Sequence, residues 1–174
     1  MKMWVEYIRK QGDNEYLWNT GFHFGDWLGM DAKEGSYIGA TSYDFIASAY
    51  YAHSTRLLLK AAKVLGYKKD AEEYLNLYHH VIEDFNREFV TPNGRLTENT
   101  QTAHVLALYF DLVKDKKRVA DTLAKMVREN GDRLTTGFVG TGYLCHALSQ
   151  NGYADLAYSL LLQKEYPSWL YSVL

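Results

Sequence analysis

A chain of 174 residues is long enough for one domain with a sizeable core, and a net charge of −2 gives no basic stripe to hold nucleic acid. One cysteine, Cys145, excludes a disulfide framework and any paired-cysteine zinc site, and no run of about eighteen apolar residues offers a membrane span. Two prolines and thirteen glycines point to long helices parted by glycine-marked loops, with an aromatic content of 15% that suits cores and sugar faces alike.

Residues 1–10 read as the tail of an amphipathic helix, with Trp4, Val5 and Ile8 on one side and Gly12 and Asp13 as its stop. These first residues lack the apolar core of a signal peptide, and the compartment is left open because an export signal would lie outside the chain. Residues 12–41 hold six glycines and little periodicity. A loop of that length in a compact domain is functional or disordered, and its aromatic content argues for function. Its centre, GFHFGDWLGMD at 21–31, sets His23, Phe24, Asp26, Trp27 and Asp31 among three glycines.

From Ser42 or Tyr43 to Leu65 the chain is apolar on nearly all sides, the pattern of a buried helix, and Gly66 fits the left-handed position that ends it. Residues 68–89 carry one apolar stripe against a polar face and read as a surface helix. TPNGR at 91–95 is a turn. The alternation repeats: 101–113 buried, 116–130 surface, 142–150 buried, 153–163 surface. GDRLTTGFVGTG forms a second glycine-rich loop, and the tail EYPSWLYSVL is aromatic.

Paired helices, one inside and one outside, describe an α-solenoid or a closed helical toroid. The pairs begin near residues 43, 101 and 140, too unevenly for a tetratricopeptide array with its period of about 34. In such a design the segments 12–41, 90–100, 131–140 and 164–174 all lie at one end. The rim they form is rich in Trp, Phe, Tyr, Asp and Glu. Aromatic faces stack on sugar C–H surfaces, and carboxylates accept hydrogen bonds from hydroxyls, so a carbohydrate fits this rim.

The rim carboxylates are Asp26, Asp31, Glu34, Glu98, Asp132 and Glu165, most of them solvated charges or caps when taken singly. Asp26 is better placed than the rest, because Gly25 admits a ligand close to the backbone and Trp27 supplies a stacking face. His53, His104 and His146 sit on apolar helices and read as core residues; His23 alone lies in a loop where it would meet a ligand. No metal-ligating histidine spacing occurs, GFVGTG lacks the preceding strand of a dinucleotide site, and no cofactor is implied.

Four motifs occur in order: Met3-Trp4-Val5-x-Tyr7-Ile8, His23-Phe24-Gly25-Asp26-Trp27-Leu28, Leu134-Thr135-x-Gly137-Phe138-x-Gly140-Thr141 and Tyr166-Pro167-Ser168-Trp169-Leu170-Tyr171. Across essentially its whole length the chain resembles the catalytic domain of bacterial α-L-rhamnosidases, which are inverting glycosidases. The resemblance implies an all-α fold of helical hairpins forming part of an (α/α)6 toroid, with residues 1–174 as one partial domain, its second half. It implies a rhamnose pocket lined by Asp26 and Trp27, with His23 and Phe24 from the same loop and Phe138 and Trp169 from the neighbouring motifs. The partner is then a rhamnoside-containing glycan or glycoside. The family's general acid belongs to an Arg-rich segment upstream and its general base to a segment following Pro-Ser-Trp-Leu-Tyr. No catalytic residue is therefore expected in this chain, which alone would be inactive.

Two other readings stand beside this one: a helical-repeat binding module without chemistry, and a different toroid glycosidase or lyase pairing Asp26 with Glu98 or Asp132. A partial toroid leaves apolar helix faces bare, so self-association through the half-barrel surface is expected. The geometry requires Trp27, Phe138 and Trp169 to meet at one mouth.

Overall fold

The computed structural model describes residues 1–173. Among the described residues seven helices follow one another: α1 (Lys2–Ile8), α2 (Tyr43–Val64), α3 (Lys68–Phe89), α4 (Gln101–Tyr109), α5 (Lys116–Glu129), α6 (Phe138–Ser149) and α7 (Ala154–Leu162), with a 3-10 turn at Leu170–Ser172. Among the described residues there is no strand, only two isolated bridges, Trp27 with Ile38 and Val90 with Leu96.

The helices sort into two layers as their patterning dictates. α4 is buried from Gln101 through Leu108, whereas α5 buries one stripe, Val119, Ala120, Leu123, Ala124 and Val127. α2 packs on α3, α4 on α5 and α6 on α7, while α4 touches both α2 and α6. Thus α2, α4 and α6 form the inner row, and α3, α5 and α7 back them. α1 belongs to the outer side: it packs on α2, and Lys2 and Glu6 reach Asp70 and Tyr74 of α3 at 2.9 Å each. The rings of Phe45, Phe85 and Phe89 meet at centroid distances of 5.0–5.2 Å and lock the first hairpin.

Helix ends follow capping chemistry. Ser42, Thr100 and Asp115 each accept the amide three residues on, opening α2, α4 and α5. Gly66, at φ 76°, closes α2 as the sequence indicates, with Tyr67 N–H donating to the Ala62 carbonyl at 2.9 Å.

Two boundaries differ from the sequence reading. α4 stops at Tyr109, although the apolar run continues and Phe110, Leu112 and Val113 stay buried. Asp111 takes the left-handed conformation, φ 64°, and Leu112 N–H returns to the Ala107 carbonyl, so an aspartate performs the glycine's role. α6 begins at Phe138, not near 142, so half of the second glycine-rich segment is helical. The histidines divide as well. His104 is buried, and His53 is half-buried and stacks on Phe110 at 4.0 Å, but His146 is exposed and is no core residue.

The three inner helices start at the same end. The Thr41 and Thr100 hydroxyls pair at 2.5 Å, and Gln101 donates to the Arg133 carbonyl while accepting from Thr135 N–H. Segments 12–42, 90–100 and 130–137 are thereby tied into one rim.

At the two sides of this arc apolar groups are open to solvent, Met3, Trp4 and Tyr7 on α1 and Tyr158, Leu161 and Leu162 on α7. At about 25 cal/mol per Å² such surface favours association by several kcal/mol. Residues 1–174 expressed alone are expected to sediment as oligomers, and a monomer at tens of micromolar would contradict this.

Burial lowers the pKa of both His53 and His104, the latter despite its bond to the Thr100 carbonyl. The unfolded chain then binds more protons than the folded one, so stability falls as pH drops below the ordinary imidazole value of about 6.5. The drop in melting temperature from pH 7.5 to pH 5.5 should shrink in His104→Asn; an unchanged drop would remove His104 from the account.

Candidate functional site

The loop 21–31 owes its shape to backbone bonds rather than to any regular element. The Asp26 carbonyl accepts from Gly29 and Gly39, and Leu28 N–H donates to the Tyr37 carbonyl, closing 26–39 on itself. The Asp31 carboxylate accepts from Ala40 N–H at 3.0 Å. Burial pushes the Asp31 pKa up, with a smaller push in the same direction from Asp26.

The closed loop is then fastened to the start of α6. Phe138 N–H donates to the Trp27 carbonyl at 2.9 Å, and Met30 N–H to that of Thr135 at 3.0 Å. Asp26 is only 1% exposed. One of its carboxylate oxygens accepts from Thr102 Oγ1 at 2.5 Å and from Gly137 N–H at 2.8 Å; the other accepts from Val139 N–H at 3.1 Å. α6 has no side-chain cap of its own, since Gly137 occupies the N-cap. Asp26 supplies it across 111 residues of sequence. A Cβ on Gly137 would fall 2.5 Å from the Trp27 carbonyl oxygen and 2.7 Å from the Asp26 carboxylate, so no larger residue fits there.

Two cavities flank this junction. The first, of about 430 Å³, is lined by Trp4, Trp18, His23, Phe24, Tyr50 and Ser54, with Gly25 and Val139 on the side of Asp26. Trp18 is held by Ser48 of α2 through both its amide and its carbonyl, and Trp4 meets it edge-on at 5.8 Å. His23 accepts from Gly25 N–H at Nδ1 and donates from Nε2 to the Tyr43 carbonyl at 3.0 Å, which fixes the Nε2–H tautomer. Burial, and next the neighbouring Tyr143, raise the Tyr50 hydroxyl pKa, so it is a neutral donor at any working pH. The second cavity, an open groove of about 350 Å³, is lined by Leu28, Met30, Phe138, Pro167, Trp169 and Tyr171.

The residues indicated by the sequence are therefore distributed over one end of the molecule. His23 and Phe24 face the first cavity; Phe138, 73% exposed, and the half-buried Trp169 face the groove. The Trp27 ring lies between those of Phe24 and Tyr37, at 5.8 and 5.7 Å. Asp26 sits beneath, in the partition. Phe138 and Trp169 thus share the groove, and Trp27, joined to Phe138 through its backbone carbonyl, is a lining residue of neither cavity. Trp4, Trp18, Tyr50 and Ser54 escaped the sequence reading, although Tyr50 and Ser54, four residues apart on an otherwise apolar helix, mark one lining face.

The surface presented is aromatic and apolar with a few fixed donors, the composition of a site for a small sugar with a hydrophobic edge. Among the described residues no three metal-ligating side chains cluster. The other rim carboxylates stand apart from the first cavity, with Glu165 paired to Arg133.

The family model for the bacterial alpha-L-rhamnosidase six-hairpin glycosidase domain matches residues 1–174. The chain is 37% identical over 177 residues to an alpha-L-rhamnosidase of Formosa agariphila, covering 99% of this chain and 19% of that protein. A crystal structure of the Streptomyces avermitilis alpha-L-rhamnosidase complexed with L-rhamnose superposes with a TM-score of 0.88 at 36% identity, over 99% of this chain and 16% of that one. The native enzyme of Aspergillus terreus gives 0.90 at 32% identity, over 97% and 20%. The chain thus spans about a fifth of the length of its relatives, and its three hairpins are an arc of an (α/α)6 toroid. By family model, sequence and fold alike, it belongs to the six-hairpin glycosidase domain family of bacterial α-L-rhamnosidases.

Proposed function

We propose that this chain builds part of the sugar pocket of an α-L-rhamnosidase that hydrolyses terminal α-L-rhamnosyl residues with inversion. The observation that carries this reading is the aromatic cavity of Trp4, Trp18, His23 and Phe24 at the inner-helix N-termini. L-Rhamnose is a 6-deoxy sugar, so one edge of its ring ends in a methyl group. Aromatic walls receive that methyl and the axial C–H face, while the Tyr50 and Ser54 hydroxyls are available to ring hydroxyls. The relative solved with L-rhamnose, 36% identical over nearly this entire chain, supports the same substrate class.

Hydrolysis with inversion needs two carboxyl groups about 6.5–9.5 Å apart. One protonates the leaving glycosidic oxygen, and the other takes a proton from the water attacking the anomeric carbon on the opposite face. In this proposal both come from segments of the full-length enzyme outside residues 1–174, and the present residues bind and orient the sugar. His23, Phe24, Trp27, Phe138 and Trp169 are the sugar-facing set. Asp26 acts on the pocket from below: its three bonds to Thr102, Gly137 and Val139 hold the loop bearing Phe24 and Trp27 against the helix bearing Phe138.

In the full-length enzyme, an aryl α-L-rhamnoside should be cleaved with β-L-rhamnose as the first product seen by NMR. Trp18→Ala or Phe24→Ala should raise KM roughly ten- to a hundredfold, the loss of about 1.4–2.8 kcal/mol of stacking and burial. First-formed α-L-rhamnose, or unaltered KM in both variants, would defeat the proposal.

Asp26→Asn turns one acceptor into a donor facing an N–H group. It should cost about 2–3 kcal/mol of stability and lower kcat/KM, because a buried amide loses its partner and the α6 dipole its counter-charge. Lost activity with an unchanged melting temperature would instead make the Asp26 carboxylate a direct contact of the sugar.

A further inference from the structure

A third cavity lies away from the aromatic mouth, on the flank between the 91–99 turn and α5. It measures about 370 Å³ and is lined by Arg95, Thr97, Asn99, His104, Arg118 and Thr122, with no carboxylate in its wall. Two features set it apart from a surface crevice. The first is its charge. Neither Arg95 nor Arg118 takes part in an ion pair among the described residues. Both are instead drawn to one turn residue: Arg118 Nη1 donates to the Asn93 carbonyl, and Arg95 Nε to the Asn93 side-chain oxygen at 3.4 Å. Two like charges are thus gathered at one mouth with nothing negative lining the cavity between them.

The second feature is His104, only 4% exposed. Its Nδ1 lies 2.8 Å from the Thr100 carbonyl, which only accepts, so Nδ1 carries the proton and Nε2 is a bare acceptor. Nε2 makes no hydrogen bond among the described residues, and the ring forms part of the cavity wall. An acceptor that opens on the cavity is free to take a donor from outside the chain. Sulfate has no hydroxyl to give and hydrogen phosphate has only its P–OH, whereas a sugar has several.

We propose that this flank cavity is a second binding site, for a monosaccharide-sized sugar carrying one anionic group, held by the Arg95 and Arg118 guanidiniums and by a hydroxyl donated to His104 Nε2. Guanidinium forks match carboxylate and phosphate equally, so a uronate and a sugar phosphate present the same chemistry. The Thr97 and Thr122 hydroxyls donate to the Phe89 and Arg118 carbonyls and so accept from the sugar's other hydroxyls. The cavity is within the size range of small-ligand sites. It shares no lining residue with the aromatic cavity.

Calorimetric titration of the full-length protein with glucuronate, glucose 6-phosphate, inorganic phosphate and L-rhamnose tests this. Binding of glucuronate or of glucose 6-phosphate is expected, and whichever binds tighter names the anionic group. Arg95→Gln and Arg118→Gln should each weaken it at least tenfold, and addition of the ligand should shift the His104 ring resonances. Rhamnoside turnover should be unchanged in Arg95→Gln, which separates this site from the aromatic pocket. Failure of both charged sugars to bind, inorganic phosphate binding as tightly as glucose 6-phosphate, or affinity indifferent to both arginine variants would overturn the proposal.

Discussion

A helix that begins with glycine cannot cap itself, and this molecule solves the problem at a distance. The first amides of α6 need an acceptor, Gly137 offers no side chain, and the carboxylate of Asp26 fills the gap with bonds to Gly137 and Val139. A carboxylate at a helix N-terminus also meets the positive end of the helix dipole. The arrangement is reciprocal. Isolated in the interior, Asp26 would be costly, and with three donors its lone pairs are satisfied. The missing Cβ of Gly137 is what lets the Asp26 and Trp27 backbone approach closely enough. Charge, space and hydrogen bonding therefore select the same two residues together.

From this contact the rest of the rim follows. A segment of thirty residues without regular structure would ordinarily be mobile, because ordering it loses conformational entropy. Here it is fixed by short bonds to rigid partners: Trp18 to Ser48, the Tyr51 hydroxyl to the Glu15 carbonyl, and Phe138 to the Trp27 carbonyl. The aromatic side chains it carries are then held before any ligand arrives. Pre-organisation of this kind spares a binding site the entropy of ordering its own walls. Parallel inner helices contribute the other half, since their N-termini open toward the same mouth.

Much of this was legible in the residues. Apolar periodicity separates buried α2 and α4 from one-sided α3 and α5, and Ser42 and Gly66 announce helix ends by their own chemistry. The misplaced ends have separate causes. At Asp111 an aspartate adopts a conformation normally left to glycine, so the apolar run outlives the helix. At Gly137 the cap comes from residue 26, and no local rule looks that far. The candidate site divides likewise. His23, Phe24, Trp27, Phe138 and Trp169 are proposed from composition and family resemblance, and of these His23 and Phe24 line the first cavity and Phe138 and Trp169 the groove. The surroundings of Asp26 are invisible in one dimension, for Thr102 and Val139 lie 76 and 113 residues away from it. Trp4 reads as part of one helix face and Trp18 carries no signal of its own until folding brings both to one cavity wall.

The short helix α4 has a part in both cavities. Thr102, in its first turn, bonds Asp26; His104, two residues on and about 200° around the axis, faces the flank. Thr100 joins the two sides. Its hydroxyl pairs with Thr41 of the rim and caps α4 at Ala103, and its carbonyl holds the His104 ring. The first turn of α4 and its cap therefore touch both cavities, through His104 on one side and through Thr102 and Thr41 on the other. Helix packing resists sliding more than it resists small rotations of single side chains, so α4 behaves as a rigid divider and not as a lever. The two cavities are consequently neighbours in structure with separate chemistry: apolar and aromatic walls on one side, and on the other guanidiniums without an ion pair among the described residues.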